Sequence, residues 1–451
     1  MQTDRLQILE KAPIRKAVVT LALPTMMGMI VQALYNLADT FFIGRLNDAN
    51  AVAAVTLAFP LFMTLQAFGN LFATGGASYI SRALGRKELE NAKRAAAISF
   101  FLAVGTGIVM AAVFLLNIKR ILTLIGAAGD TFRLTQIYLS YIMAFAPVLL
   151  LQVSLSGILR AEGATTEAMI GMMTGTVINI LLDPIFILTL NLGVRGAAIA
   201  TIIGNSFGVL YYITYFVRKK SVVSISPAYF SFHRGIIIDI CKIGIPVAVN
   251  QILMSVVHTF SNAVAASYGD TVIAAMGIVM RTSSLAFMLI HGLALGYQPL
   301  AGYCFGAKLF GRLKEGFKFT ITIGTVLSAL FTAVGLTLAP QIIRAFIDNS
   351  EIIALGARVL RLFAVPGLFM SVQITIMVSF QAMGKGLESM ILSLGRQGLF
   401  FVPSILILNT FFGLNGFIFA HPVSDFLSIF LSVAMFARLL RTLHKQQGQA
   451  Q

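Results

Sequence analysis

An all-α, polytopic membrane protein is the fold class this sequence predicts, with about twelve transmembrane helices in two six-helix lobes. Three observations carry that prediction. Of the 451 residues, 58% are hydrophobic and only 11% are charged, whereas a soluble chain carries about 25% charged residues. Apolar runs recur along the whole length, each near the roughly 20 residues a helix needs to cross a bilayer. Several short motifs recur at a nearly constant offset, which makes the second half a copy of the first. A β-barrel is excluded because the runs are continuously apolar and do not alternate.

The runs place spans at 17–44, 51–81, 95–117, 134–159, 167–190, 194–217, 237–266, 272–303, 319–345, 355–382, 387–412 and 414–438. No cleavable leader precedes the first, and Pro13-Ile14-Arg15-Lys16 leads straight into it. The formal net charge is +16. In a soluble protein this balance would suggest nucleic acid. Here the basic residues sit in short connections between spans, as in Arg82, Arg86 and Lys87, Arg218-Lys219-Lys220, and Lys308, Arg312 and Lys314. With twelve spans these connections fall on one side, and the positive-inside rule puts both termini in the cytoplasm of a cell-membrane protein. The opposite connections hold Asp48, Asp130, Asp270 and Asp348. Cys241 and Cys304 lie in or beside apolar runs and suggest neither a disulfide framework nor a metal site.

The repeat organises the chain. Leu23-Pro24 matches Ile245-Pro246 at an offset of 222, and Gly85-Arg86-Lys87 matches Gly306-Ala307-Lys308 at 221. Gly193-Val194-Arg195-Gly196 matches Gly413-Leu414-Asn415-Gly416 at 220, which sets Asn205 opposite Asp425. Each half has an even number of spans, so both run the same way through the membrane. A pseudo-two-fold axis along the membrane normal then relates them. The reading is an N-lobe at 1–217 (helices 1–6), a cytoplasmic connection at 218–236, and a C-lobe with a cytoplasmic tail at 237–451 (helices 7–12). Pairs such as Gly171…Gly175, Gly204…Gly208 and Gly292…Gly296 have the spacing that lets helices approach closely.

Two acids inside apolar runs stand out. Asp183 sits in Asn179-Ile180-Leu181-Leu182-Asp183-Pro184, near mid-span, where insertion scales put an aspartate at about 2.5–3.5 kcal/mol unfavourable. Asn179 lies four residues earlier, on the same helical face. Pro184 has no N–H and leaves the carbonyl of Ile180 without its helical partner. An acid, an amide and a free carbonyl at one depth suit a proton or small cation. Asp39 is the second acid, within about two turns of the outer end of the first span. Thr201, Tyr138, Ser156 and Asn205 are candidate supporting groups. The C-lobe has no acid aligned with Asp39 or Asp183. Its span residues Arg281 and Arg396 are read as reaching carbonyls or Asp425, with ligand contact as the sharper alternative. Tyr35, Asn36, Met172, Met276, Met280, Gln251 and Arg281 are candidates to line a substrate cavity, since soft Met-rich surfaces accept varied apolar ligands. Phosphate-loop, metalloprotease and nucleophile-elbow motifs are missing, so an enzyme is not expected, and uphill transport would draw on an ion gradient.

Ala38-Asp39-Thr40-Phe41-Phe42-Ile43-Gly44, Arg160-Ala161-Glu162-Gly163, the Asn179 to Phe186 stretch and Gly193-Val194-Arg195-Gly196 together resemble the MATE family of multidrug and toxic compound extrusion transporters. The likeness runs the whole length and is nearest the prokaryotic DinF/MepA-like branch. It implies a cation-coupled antiporter that alternates between outward-open and inward-open forms. Carried over by motif, its cation site falls on Asp39, Asn179, Asp183 and Thr201, with Tyr138 as a neighbour. The acids of the seventh and tenth helices used by the NorM branch have no counterpart here. The expected activity is exchange of H⁺ or Na⁺ for amphipathic, cationic organic compounds, with no cofactor beyond the coupling ion. Expected partners are small organic substrates and membrane lipids, with no nucleic acid and a monomeric chain. A lipid-linked precursor flippase is the alternative within transport, and a non-transporting scaffold or enzyme is the alternative of another class.

Overall fold

The computed structural model describes residues 2–45 and 48–448, which are helices joined by short connections, with no strand among them. The side chains of Asn36 and Asp39 lie outside the described residues. Nine helices are long and apolar enough to cross a bilayer, and two further spans are bent pairs. These pairs, Gly129–Ala144 with Ala146–Ala161 and Ser350–Gly367 with Met370–Ala382, bend by 54° and 50°. They form the fourth span of each half. The last of the nine, Gly386–Leu439, has 54 residues. At 1.5 Å per residue it would reach about 80 Å, against a hydrocarbon core of about 30 Å. It breaks at Gly413, whose φ is 55°, and so makes two spans. The described residues therefore cross the bilayer twelve times.

Most helices run past the apolar windows read from the sequence, because helical hydrogen bonding continues beyond the hydrocarbon. The ninth span differs most. It is the helix Phe310–Thr337, and a separate short helix, Ala339–Arg344, follows. Pro340 explains the break: it has no N–H to continue the first helix, and it sits in the first turn of the second.

The repeat is written into the backbone as well as the side chains. The second and eighth helices, Ala49–Gly85 and Asp270–Gly306, each have 37 residues. Both end in a left-handed residue, Lys87 (φ 62°) and Lys308 (φ 58°). The closing hydrogen bonds match, Glu88 N to Ala83 O at 2.9 Å and Leu309 N to Cys304 O at 2.8 Å. This is the Schellman arrangement that satisfies carbonyls at a helix end. The fourth spans end alike at Gly163 (φ 83°) and Gly384 (φ 76°), and the sixth spans begin alike at Gly193 (φ 53°) and Gly413 (φ 55°). A left-handed lysine costs about 1–2 kcal/mol relative to glycine, so its recurrence at matched positions reflects a common architecture, not chance.

The two lobes meet most tightly at the end that carries the basic connections. There Ala49–Gly85 packs along Arg234–Ala266 and Asp270–Gly306. A Cβ on Gly75 would collide with the backbone of Ile240, and one on Gly244 with the backbone of Leu71. Gly85 lies against the carbonyl of Tyr303, and Gly306 against that of Arg82. Arg82 also reaches Asp239 across the seam at 3.8 Å, and Ser78 Oγ donates to the carbonyl of Gln381. Nearer mid-membrane, Asn70 Nδ2 donates to Gln251 Oε1 at 2.8 Å. Gly292 and Gly296 of the eighth span give the first span its seat at Met26 and Ala22.

Gly244→Ala should lower the melting temperature of the purified protein by several degrees, because overpacking a close helix contact costs about 1–3 kcal/mol. An unchanged melting curve would contradict this account of the seam.

Candidate functional site

The site is built on one stripe of the fifth span. Gly171, Gly175, Asn179 and Asp183 recur every four residues along Thr165–Asp183, so they share a face. That face meets Gly193–Val217 at Thr201, Gly204, Gly208 and Tyr212. The glycines set the separation. A Cβ on Gly204 would lie 2.5 Å from the carbonyl oxygen of Gly175 and 2.9 Å from Cβ of Asn179. One on Gly175 would lie 2.9 Å from the carbonyl oxygen of Gly204. This backbone contact excludes lipid and water and brings the polar residues one turn further on into reach.

Asp183 is 0% exposed, Asn179 2% and Thr201 3%. With its amide nitrogen toward the carboxylate, Asn179 satisfies both ends of its side chain. It donates to Asp183 Oδ2 at 3.1 Å and accepts from Thr201 N at 3.0 Å. The Thr201 hydroxyl lies 3.4 Å from the same amide. Asn205, one turn on, donates to the Thr201 carbonyl at 2.7 Å. Beyond Asp183 the chain continues as a π-turn, Pro184–Thr189, closed by Leu190 N to Ile185 O at 2.8 Å. The wider turn absorbs the N–H missing at Pro184. Gly196 packs against the carbonyl of Phe186 at this bend, which fixes the sixth span beside the acid. The arrangement offers a carboxylate, an amide and a hydroxyl at one depth, all hard ligands suited to H⁺ or Na⁺.

The remaining candidates fall in several places. Tyr138 is buried on Gly129–Ala144, a helix that packs against the Thr201 helix. Ser156 is taken up by Arg160, whose Nη1 donates to it at 2.7 Å. Asp39 and Asn36 lie outside the described side chains, and Tyr35 is half-buried on the same helix. Met172 touches Gly28 of the first span, which joins that helix to the fifth. Met276 is buried in a C-lobe core, while Met280, one turn on, faces a cavity. Gln251 is engaged with Asn70 at the lobe seam, and Arg281 is exposed. Arg396 reaches Asp425, Nε to Oδ1 at 2.9 Å.

One acid escaped the sequence reading. Glu162 ends the fourth span fully buried. Its Oε2 accepts from Ser221 Oγ and Val222 N at 2.7 Å and from Val223 N at 3.3 Å. It thereby ties the connection between the lobes to the N-lobe. Its position at a span end made it look like a solvated charge, and the left-handed Gly163 that follows was the only local signal of a folded turn.

A helical membrane protein with twelve crossings, an internal repeat and an intramembrane acid in one half is a polytopic transporter, not an enzyme. The MatE family model matches the chain twice, at residues 24–185 and 246–406, so the chain belongs to the MatE family. The two matches follow the same offset as the motifs. Multidrug export protein MepA of Staphylococcus aureus (strain MSSA476) is 32% identical over 442 residues, covering 98% of this chain and 97% of that one. A solved structure described as the outward-facing conformation of a multidrug resistance MATE family transporter superposes with a TM-score of 0.92 at 29% identity, covering 97% of this chain and 98% of that one. A MATE structure described as the bent conformation gives 0.92 at 29% identity, over 98% and 99%.

Gly204→Val should separate the fifth and sixth spans and weaken cation binding by about tenfold or more, with the protein still inserted. Isothermal titration with H⁺ or Na⁺ on the purified variant checks this, and wild-type affinity would contradict it.

Proposed function

We propose that this transporter exports amphipathic, cationic organic compounds across the cell membrane in exchange for H⁺ or Na⁺, by alternating access. The observation that carries the proposal is the buried Asn179–Asp183–Thr201 cluster, which has no acid counterpart at Val402-Pro403 of the other lobe. A carboxylate buried in a low-dielectric bundle favours a compensating positive charge. A coupling cation and a cationic substrate therefore compete for the same negative charge, and exchange follows from their mutual exclusion. Asp39 and Tyr138 complete the proposed site. The small, soft Gly28–Met172 contact is where bending of the first span would reshape the cavity beside it.

The ion drives the cycle only if it binds the two conformations with different affinity. The membrane potential adds about 2.3 kcal/mol per charge per 100 mV when net charge moves. With the basic connections in the cytoplasm, the tight seam at Gly75, Gly85, Gly244 and Gly306 closes the cytoplasmic side. The described conformation then opens outward, in keeping with the outward-facing relative. The multidrug name of the relatives supports organic drugs as cargo. A flippase reading is weaker, since Arg396 is held by Asp425 and is not set aside for a lipid phosphate.

Asp183→Asn keeps the amide-sized side chain and removes the charge. Efflux of an organic cation from cells should fall to background while the protein remains in the membrane at wild-type abundance. Unchanged efflux would overturn the role of Asp183. Everted vesicles with an H⁺ or a Na⁺ gradient imposed separately identify the coupling ion: wild-type uptake should follow one gradient and be lost in the variant.

A further inference from the structure

We propose that the C-lobe holds a second organic-ligand site, built on the Arg396–Asp425 ion pair, that takes aromatic zwitterions carrying both a carboxylate and an ammonium. The pair lines a cavity of about 250 Å³ within the C-lobe, near the small end of the ~300–1,000 Å³ range of ligand pockets. Its two side chains are 28% and 23% exposed, so a ligand in the cavity can reach both charges.

The repeat explains where this cavity lies. Asp425 stands opposite Asn205, and His421 opposite Thr201, at the offset that relates Gly413 to Gly193. His258 stands opposite Asn36 at the offset of 222 that relates Pro246 to Pro24. The C-lobe cavity is thus the counterpart of the N-lobe site, with different chemistry: a net-neutral pair of opposite charges in place of an acid.

Charge balance selects the ligand. A simple cation drawn to Asp425 would leave Arg396 uncompensated in a low-dielectric lobe, and an anion drawn to Arg396 would strand Asp425. Leaving one partner of such a pair alone is strongly unfavourable. A zwitterion exchanges one ion pair for two, ammonium on Asp425 and carboxylate on Arg396, and no charge is stranded. The walls suit an aromatic body. His421 lies against Phe363 and Phe401, with ring centroids 4.6 and 4.1 Å away, and Phe287 and Met280 also face the space. His421 Nε2 is buried without a hydrogen-bond partner, a polar atom left for a ligand to satisfy.

The test titrates the intact protein in nanodiscs, without any ion gradient, with four probes that share one fluorophore. Nε-dansyl-lysine is the zwitterion, dansylcadaverine the cation, dansylglycine the anion and dansylamide the neutral control. Wild-type protein should bind dansyl-lysine at least about tenfold more tightly than dansylglycine or dansylamide. The double variant R396Q/D425N, which strands no charge, should lose that preference. Met280→Trp, which fills the cavity and leaves the pair intact, should weaken dansyl-lysine by about tenfold. The proposal is overturned if dansyl-lysine binds no better than the anion and neutral probes. It is equally overturned if either variant binds dansyl-lysine as wild type does, or if R396Q/D425N weakens all four probes alike. None of these readouts depends on Asp183, so the proposal fails or stands separately from the antiport reading.

Discussion

A carboxylate with no exposed surface, inside a span, is the constraint on which the N-lobe is built. Asp183 is tolerated because Asn179 donates to it and is itself fixed by Thr201. Thr201 is in reach only because the fifth and sixth spans touch through Gly175 and Gly204. The glycines are therefore part of the site although they carry no chemistry. Without the close approach, the amide would lose its partner on the neighbouring helix, and the acid would face lipid or water. The π-turn after Pro184 serves the same end, since it keeps the chain helical where a proline would otherwise open it.

The lobes share a backbone plan and differ in what they place on it. Left-handed residues, helix-closing hydrogen bonds and bent fourth spans recur at matched positions. The acid does not: the C-lobe keeps a proline at Pro403 but pairs its buried charges, Arg396 with Asp425. An unneutralised carboxylate on one side and a neutral ion pair on the other make the halves unequal partners. Ion coupling then belongs to one lobe, while the shared plan lets the two rock against each other along the seam at Gly75 and Gly244.

Much of this was legible in the sequence, and for identifiable reasons. Span number followed from apolar length, since the bilayer fixes how long a run must be. The repeat was visible because Gly and Pro occupy positions whose backbone geometry only they readily adopt, as at Gly193 and Gly413. Asn179 and Asp183 were legible as a pair through their spacing of four. Thr201 could be named as a supporting group but not placed, because its distance from Asn179 depends on how two helices cross. Glu162 was missed altogether: its partners, Ser221 to Val223, are far along the chain, and nothing local distinguishes a buried span-end acid from a solvated one. The break at Leu338 was also hidden, since Pro340 can kink a helix as easily as end one.

The claim that an ion and an organic cation compete for Asp183 is tested most directly by counting displaced ions. Isothermal titration of the purified protein with an organic cation, repeated in buffers of different protonation enthalpy and with and without Na⁺, reports what leaves as the substrate binds. The account predicts release of H⁺ or Na⁺ from wild type and none from Asp183→Asn. Substrate binding without release in wild type, or equal release from the variant, would contradict it.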